Sequence, residues 1–338
     1  MGERIHPLRL IRISLYTSPN SFIQVAMSPT LERIRLARAI EEVEIRILTD
    51  SNVQDGRVIG EAGFAALVIV RYDDTSEFQF LFDTAGGTPA LEYNVHLMKE
   101  RFNRDLSGIE LIVLSHGHWD HVAGVLKVMD MLERPVPVLC HPDALLHKVF
   151  TAENGKKYEI GIHEYYNASE LESRTKIIRV TEPYEVADGI MTTGVVPRTN
   201  RFEKLTGSLL KITTDREGTV VSDMIEDDLS VIFQMKDGNV VILTGCCHSG
   251  VVNTVEHVAS LTGSSSITGI VGGLHLHDAS KERLTFTVER LRQYPLSTIG
   301  ACHCTGLRGR AALMYAFEDV FKDVDAASVL KFEAKMTV

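Results

Sequence analysis

The sequence predicts an α/β or α+β fold with mixed sheets, and three observations carry that reading. Early in the chain, residues 43–48, 64–70 and 78–82 show the two-residue alternation or continuous apolarity of strands. The run Ile109-Glu110-Leu111-Ile112-Val113-Leu114 is followed by Val122, Leu126 and Met129 at three- and four-residue spacing, a strand leading into a helix. Strand patterns then return at residues 190–196, 208–213, 230–235 and 240–243, so two strand-rich halves each close with helices.

Residues 1–26 carry Arg4, Arg9 and Arg12 against the single acidic Glu3, a composition with some organelle-targeting character, and Met27 is an alternative start. Ser28-Pro29-Thr30-Leu31-Glu32 has the form of a helix beginning, with proline at the first helical position. We expect a partly helical extension over residues 1–42 and one larger domain over residues 43–338. The third strand ends in Asp83-Thr84-Ala85-Gly86-Gly87, where the glycines permit a tight loop. Residues 89–105 read as a helix, and residues 136–140 as a strand ending at His141-Pro142-Asp143, a histidine expected in a loop or core. Residues 151–185 are polar and mixed, with Glu159, His163, Tyr165 and Tyr166 in a segment long enough to cover a site. Asp237-Gly238 is a hairpin turn between two strands, and Asp223, Asp227 and Asp228 read as a solvated acidic turn.

With 338 residues and 44% hydrophobic composition, the chain can bury a substantial core. A formal net charge of −10 with no long basic run argues against nucleic acid as a partner. No apolar run reaches the roughly 18 residues a membrane span needs. The odd set Cys140, Cys246, Cys247, Cys302 and Cys304 lacks framework spacing, which favours a reducing, cytoplasmic setting over a disulfide-stapled secreted one. Organelle targeting by the first residues is the alternative.

Chemistry concentrates in Ser115-His116-Gly117-His118-Trp119-Asp120-His121. Side chains two apart on an extended segment share a side, so His116 and His118 can address one cation. Asp120 and His121, at the first turn of the following helix, face elsewhere and can address a second. His248, His275 and His303 each follow an apolar run beside glycine or another small residue, the setting of a strand end turning at a sheet edge.

The His-x-His-x-Asp-His motif after a core strand resembles that of the metallo-β-lactamase superfamily. Leu81-Phe82-Asp83-Thr84, Thr244-Gly245-Cys246-Cys247-His248-Ser249-Gly250, Gly272-Gly273-Leu274-His275-Leu276 and Cys302-His303-Cys304-Thr305-Gly306 look like the branch containing the 7,8-dihydropterin-6-methyl-4-(β-D-ribofuranosyl)-aminobenzene-5′-phosphate synthases. The resemblance runs from about residue 43 to the end and implies a four-layer αββα sandwich. It also implies two divalent metal ions, with zinc the first expectation and manganese, iron or magnesium the alternatives.

On this reading His116, His118 and His248 hold one metal, and Asp120, His121 and His303 the other. Many superfamily members instead use a histidine near the Gly194-Val195-Val196-Pro197-Arg198 stretch and a bridging aspartate where this chain has Cys246-Cys247. Their absence leaves His275 as a competing ligand; otherwise His275 or His277 faces the substrate and carries a proton. Cys246 and Cys247 are read as small packing residues, with direct ligation the alternative. Asp83 is expected to support the metal loop through hydrogen bonds, and Arg198 to contact a phosphate.

The implied activity is that of a metal-dependent hydrolase, or a related synthase, in which a metal-bound hydroxide oriented by Asp120 attacks a small-molecule substrate, a phosphorylated one among the candidates. The alternative is a non-hydrolytic redox or regulatory binding protein on the same fold.

Overall fold

Ala65–Tyr72 reads AALVIVRY, and its first six residues are all buried, as in a strand covered on both faces. Its side chains divide by parity. Ala66, Val68 and Val70 enter one hydrophobic cluster, whereas Ala65, Leu67 and Ile69 enter another. This strand is therefore the wall between two cores.

The computed structural model describes residues 38–335. The expected helix from Ser28 and the arginine-bearing segment 1–26 lie outside them. Among the described residues the chain builds two seven-stranded sheets and one four-stranded sheet. The first runs, edge to edge, Val329–Glu333, Ile40–Thr49, Ala65–Tyr72, Glu77–Phe82, Leu111–Val113, Val138–Cys140 and Ile177–Arg179. It is antiparallel as far as Glu77–Phe82 and parallel beyond. The second runs Phe321–Asp323, Thr298–Cys302, Ile267–Gly273, Val240–Thr244, Ser230–Gln234, Ile190–Thr192 and Tyr184–Ala187. Its first four strands are parallel and the rest antiparallel.

The two large sheets share one core, in which Val68, Phe80 and Phe82 meet Val231, Phe233 and Leu243. Phe80 and Phe233 lie with ring centroids 6.3 Å apart and planes 24° from parallel. Pro89–Phe102 and Val125–Leu132 cover the outer face of the first sheet through Leu91, Val95, Val125 and Val128. Val251–Thr262, Lys281–Leu291 and Gly306–Phe317 cover that of the second through Val255, Leu291 and Leu313. The layers are helix, sheet, sheet, helix, as the resemblance implies.

Two expectations need correction. The 208–213 run is no strand of a large sheet: Gly207, with φ +57°, opens the turn Gly207–Lys211, and the strand Ile212–Arg216 follows. That strand joins Thr219–Ser222, Lys148–Thr151 and Lys157–Glu159 in the four-stranded sheet, closed by Leu205, Ile212 and Ile225. Residues 151–185 are not a single covering loop either. They hold the helix Ala168–Arg174, capped by Asn167, the edge strand Ile177–Arg179 of the first sheet, and the start of the edge strand Tyr184–Ala187 of the second. Edge strands of three and four residues are too short for their period to be read from sequence.

The core between the sheets predicts that Phe233→Ala costs about 3–5 kcal/mol of stability by leaving a cavity. Urea unfolding checks this; a loss below about 1 kcal/mol would mean that the sheets do not meet through this ring.

Candidate metal centre

Parallel strands deliver their carboxyl ends to one edge, and the candidate residues sit there. Asp83 follows Glu77–Phe82, and the His116–His121 loop follows Leu111–Val113 one strand along. In the second sheet Cys246 and His248 follow Val240–Thr244, His275 follows Ile267–Gly273, and His303 follows Thr298–Cys302. The two loop sets touch because position 245 is glycine: a Cβ there would lie 2.1 Å from Ser115 Oγ and 2.9 Å from Asp83 Oδ2. Asp83, Cys247, His275 and His303 all have positive φ, between 44° and 59°, a region sparsely used by non-glycine residues.

Hydrogen bonds behind His116 and His121 set which nitrogen of each faces inward. Asp83 accepts from the Ser115 amide at 2.7 Å and from the Ser115 hydroxyl at 2.7 Å. With its proton given to the carboxylate, the Ser115 hydroxyl accepts from His116 Nδ1 at 2.9 Å. That leaves a lone pair on His116 Nε2, which points to His118 Nδ1 at 3.0 Å and His248 Nε2 at 3.2 Å. Asp83 Oδ2 also accepts from His121 Nδ1 at 2.7 Å, so His121 presents Nε2 toward His303 Nε2 at 3.1 Å and Cys246 Sγ at 3.2 Å. One carboxylate thus orients both halves of the motif, the arrangement that fixes metal-binding imidazoles.

Burial sharpens this. His116 and His248 are driven well below the ordinary histidine pKa, first by burial and then by neighbouring imidazoles. His118 falls to about 4, from burial and then the charge of Lys148. All three are neutral near pH 7, the form that ligates metal. For His121 burial opposes the charge, but Asp120 and Asp83 outweigh it and raise its pKa to about 9. A cation beside Asp120 would replace that proton.

Ligand atoms of His116, His118 and His248 lie within 4.8 Å of one another, as do those of Asp120, His121 and His303. Cys246 belongs to both neighbourhoods, grouping with His116 and His121 and again with His303 and Cys304. Two nitrogens on one tetrahedral ion stand roughly 3.3 Å apart, close to the spacings seen here. The donor set suits transition-metal cations.

The residues read from sequence are thus brought together, with differences of degree. His275 groups with Cys246 and His248, its ring 4.4 Å from that of His248, and its buried Nδ1 has no hydrogen-bond partner among the described residues. His277 is exposed, with its ring 4.8 Å from that of His275. The half-buried Arg198 lies beside the His248 loop and donates from Nη2 to the Ile225 carbonyl at 3.2 Å and weakly to that of His248 at 3.5 Å; its buried Nε lacks a partner among the described residues.

Cys246, read from sequence as a packing residue with ligation the alternative, lies 3.2 Å from His121 Nε2; Ser115 and Asp50, whose carboxylate accepts from the His303 amide at 2.7 Å, carried no sequence reading of their own. Place in the motif was a signal for Ser115, whereas nothing local marks Asp50. The acidic turn needs correction: Asp223, Asp227 and Asp228 are buried, not solvated; the fully buried Lys148 ammonium meets Asp223 at 2.5 Å and Asp227 at 3.3 Å, and Asp228 accepts the Ser249 amide at 2.8 Å. Burial disfavours that ammonium, but Asp227 and Asp223 outweigh it and raise its pKa.

Comparison with known proteins agrees with this geometry. A model of the β-lactamase superfamily domain matches residues 79–221. An uncharacterized protein of Methanocaldococcus jannaschii is 31% identical over 269 residues, covering 80% of this chain and 93% of that protein. The 7,8-dihydropterin-6-methyl-4-(β-D-ribofuranosyl)-aminobenzene-5′-phosphate synthase of the same organism is 28% identical, covering 75% of this chain and 84% of the synthase. The crystal structure of a metal-dependent hydrolase of the β-lactamase superfamily aligns with a TM-score of 0.70 at 25% identity, over 86% of this chain and 99% of that one. With two facing sheets, ligand loops at their shared edge and these relatives, the chain belongs to the metallo-β-lactamase superfamily.

Proposed function

We propose that the protein is a metal-dependent enzyme that carries out hydrolysis, or a related group transfer, on a phosphorylated small molecule. The observation that carries this reading is the convergence of two ligand triplets on either side of Cys246, with tautomers set by Asp83 and Ser115. His116, His118 and His248 hold the first metal, and Asp120, His121 and His303 the second, with Cys246 placed to serve either. Imidazole and thiolate donors suit zinc first, then iron or manganese, and suit magnesium poorly. Two such cations supply Lewis acidity and bring the pKa of a water toward neutrality.

The chain's own groups account for the rest. Asp120, with 24% of its side chain exposed, holds the attacking water and accepts its proton. His275, its ring 4.4 Å from that of His248, acts toward the substrate as a hydrogen-bond donor or proton carrier. Arg198, half-buried beside the His248 loop, contacts a phosphate, as a planar guanidinium does best. Support for a phosphorylated substrate comes from the similarity to a synthase whose name carries a phosphate, and support for hydrolysis from the similarity to a metal-dependent hydrolase.

Elemental analysis of protein purified with zinc, iron and manganese available should find about two equivalents per chain; less than half an equivalent would sink the reading. A panel of phosphodiesters, phosphomonoesters, lactones and thioesters then identifies the bond attacked. Asp120→Asn should keep the circular dichroism spectrum and lose more than about nine-tenths of the activity on whichever substrate responds. His248→Ala should lower occupancy of the first metal more than His275→Ala does, and the reverse order would exchange their roles.

A further inference from the structure

Behind the two ligand loops lies a short acidic segment that the chemistry above does not use. The Asp227 Oδ2 atom accepts the amide of Gly117, the residue between His116 and His118, at 2.8 Å. The next residue, Asp228, accepts the amide of Ser249, beside His248, at 2.8 Å through Oδ2. Leu229 donates its amide to the Ser115 carbonyl at 2.7 Å. Three consecutive residues therefore hold both loops that supply the first triplet.

The segment is itself held. Lys148 and Asp227 are fully buried, and the Lys148 ammonium ties Asp227 to Asp223. Asp223 in turn donates its amide to the Ile212 carbonyl and accepts the Ile225 amide through its side chain. The Gly117 backbone is also backed by residue 144: a Cβ at position 117 would lie 2.4 Å from the Ala144 carbonyl oxygen. The metal loop thus meets both the Ala144 backbone and the Asp227 carboxylate.

We infer that Asp227, anchored through Lys148, and its neighbour Asp228 are positioning residues that set the spacing of His116, His118 and His248 for the first metal. The inference rests on the metal reading proposed above. Neither aspartate is a ligand in that reading. Each acts through a backbone amide adjacent to a ligand, and the small four-stranded sheet that carries Lys148 is thereby coupled to the metal loop.

The test measures zinc affinity of the full chain by competition with a chromogenic chelator, together with the visible spectrum of the cobalt(II)-loaded protein. Asp227→Asn should weaken the first zinc about 10- to 100-fold and alter the cobalt spectrum. Asp223→Asn, which removes a partner of Lys148 that touches neither loop, should lower thermal stability but leave zinc affinity within about threefold. Wild-type-like affinity and spectrum in Asp227→Asn would overturn the positioning role. If Asp227→Asn does not fold, Asp228→Asn decides in the same way: a loss of about tenfold or more supports the role, and a smaller one overturns it. Wild-type protein that takes up no metal would instead overturn the metal reading, and this inference with it.

Discussion

The centre depends on crowding neutral imidazole lone pairs together in a dry interior. Such atoms repel one another and have lost their water, so the arrangement is unfavourable unless something positive sits between them. Burial removes the protons from His116, His118 and His248, and their outward nitrogens are already committed or buried. What remains is a set of inward donors whose natural occupant is a cation.

Much of the surrounding structure answers that demand. Asp83 satisfies Ser115 and His121 at once, so the strand Glu77–Phe82 and the strand Leu111–Val113 must stay in register for either half of the site to form. Gly245 removes the side chain that would keep the second sheet's loop away from this pair. Left-handed backbone at Asp83, Cys247, His275 and His303 costs of order 1–3 kcal/mol each in general, and it persists where packing over-determines it. The shared core of Phe80, Phe82, Val231 and Phe233 supplies that packing.

Legibility followed the range of the interactions. The six residues His116 to His121 are local, and period-two spacing separates the side chains that face one way from those that face another, so the motif could be read directly. Asp83, His248, His275 and His303 were legible as residues at strand ends with short flanking motifs. Cys246 was read as a packing residue, and a buried cysteine has the same sequence context whether it packs or ligates; the structure adds its 3.2 Å approach to His121 Nε2. The acidic stretch 223–228 failed for a similar reason. Its partner Lys148 lies 75 positions before Asp223, and no pattern near either residue announces the other.

By itself, then, the sequence determined the alternation of strands and helices, the layered class, and the ligand types, because periodicity and donor chemistry are local properties of the chain. The tertiary structure decided which strand ends meet, which nitrogen of each histidine faces inward, and which buried charges stand behind the loops. Those outcomes depend on contacts across the two sheets, such as Gly245 against Ser115 and Lys148 against Asp227. Such contacts exist only when residues far apart in the chain share a dry interior, where a single unpaired charge or misplaced side chain is too unfavourable to persist.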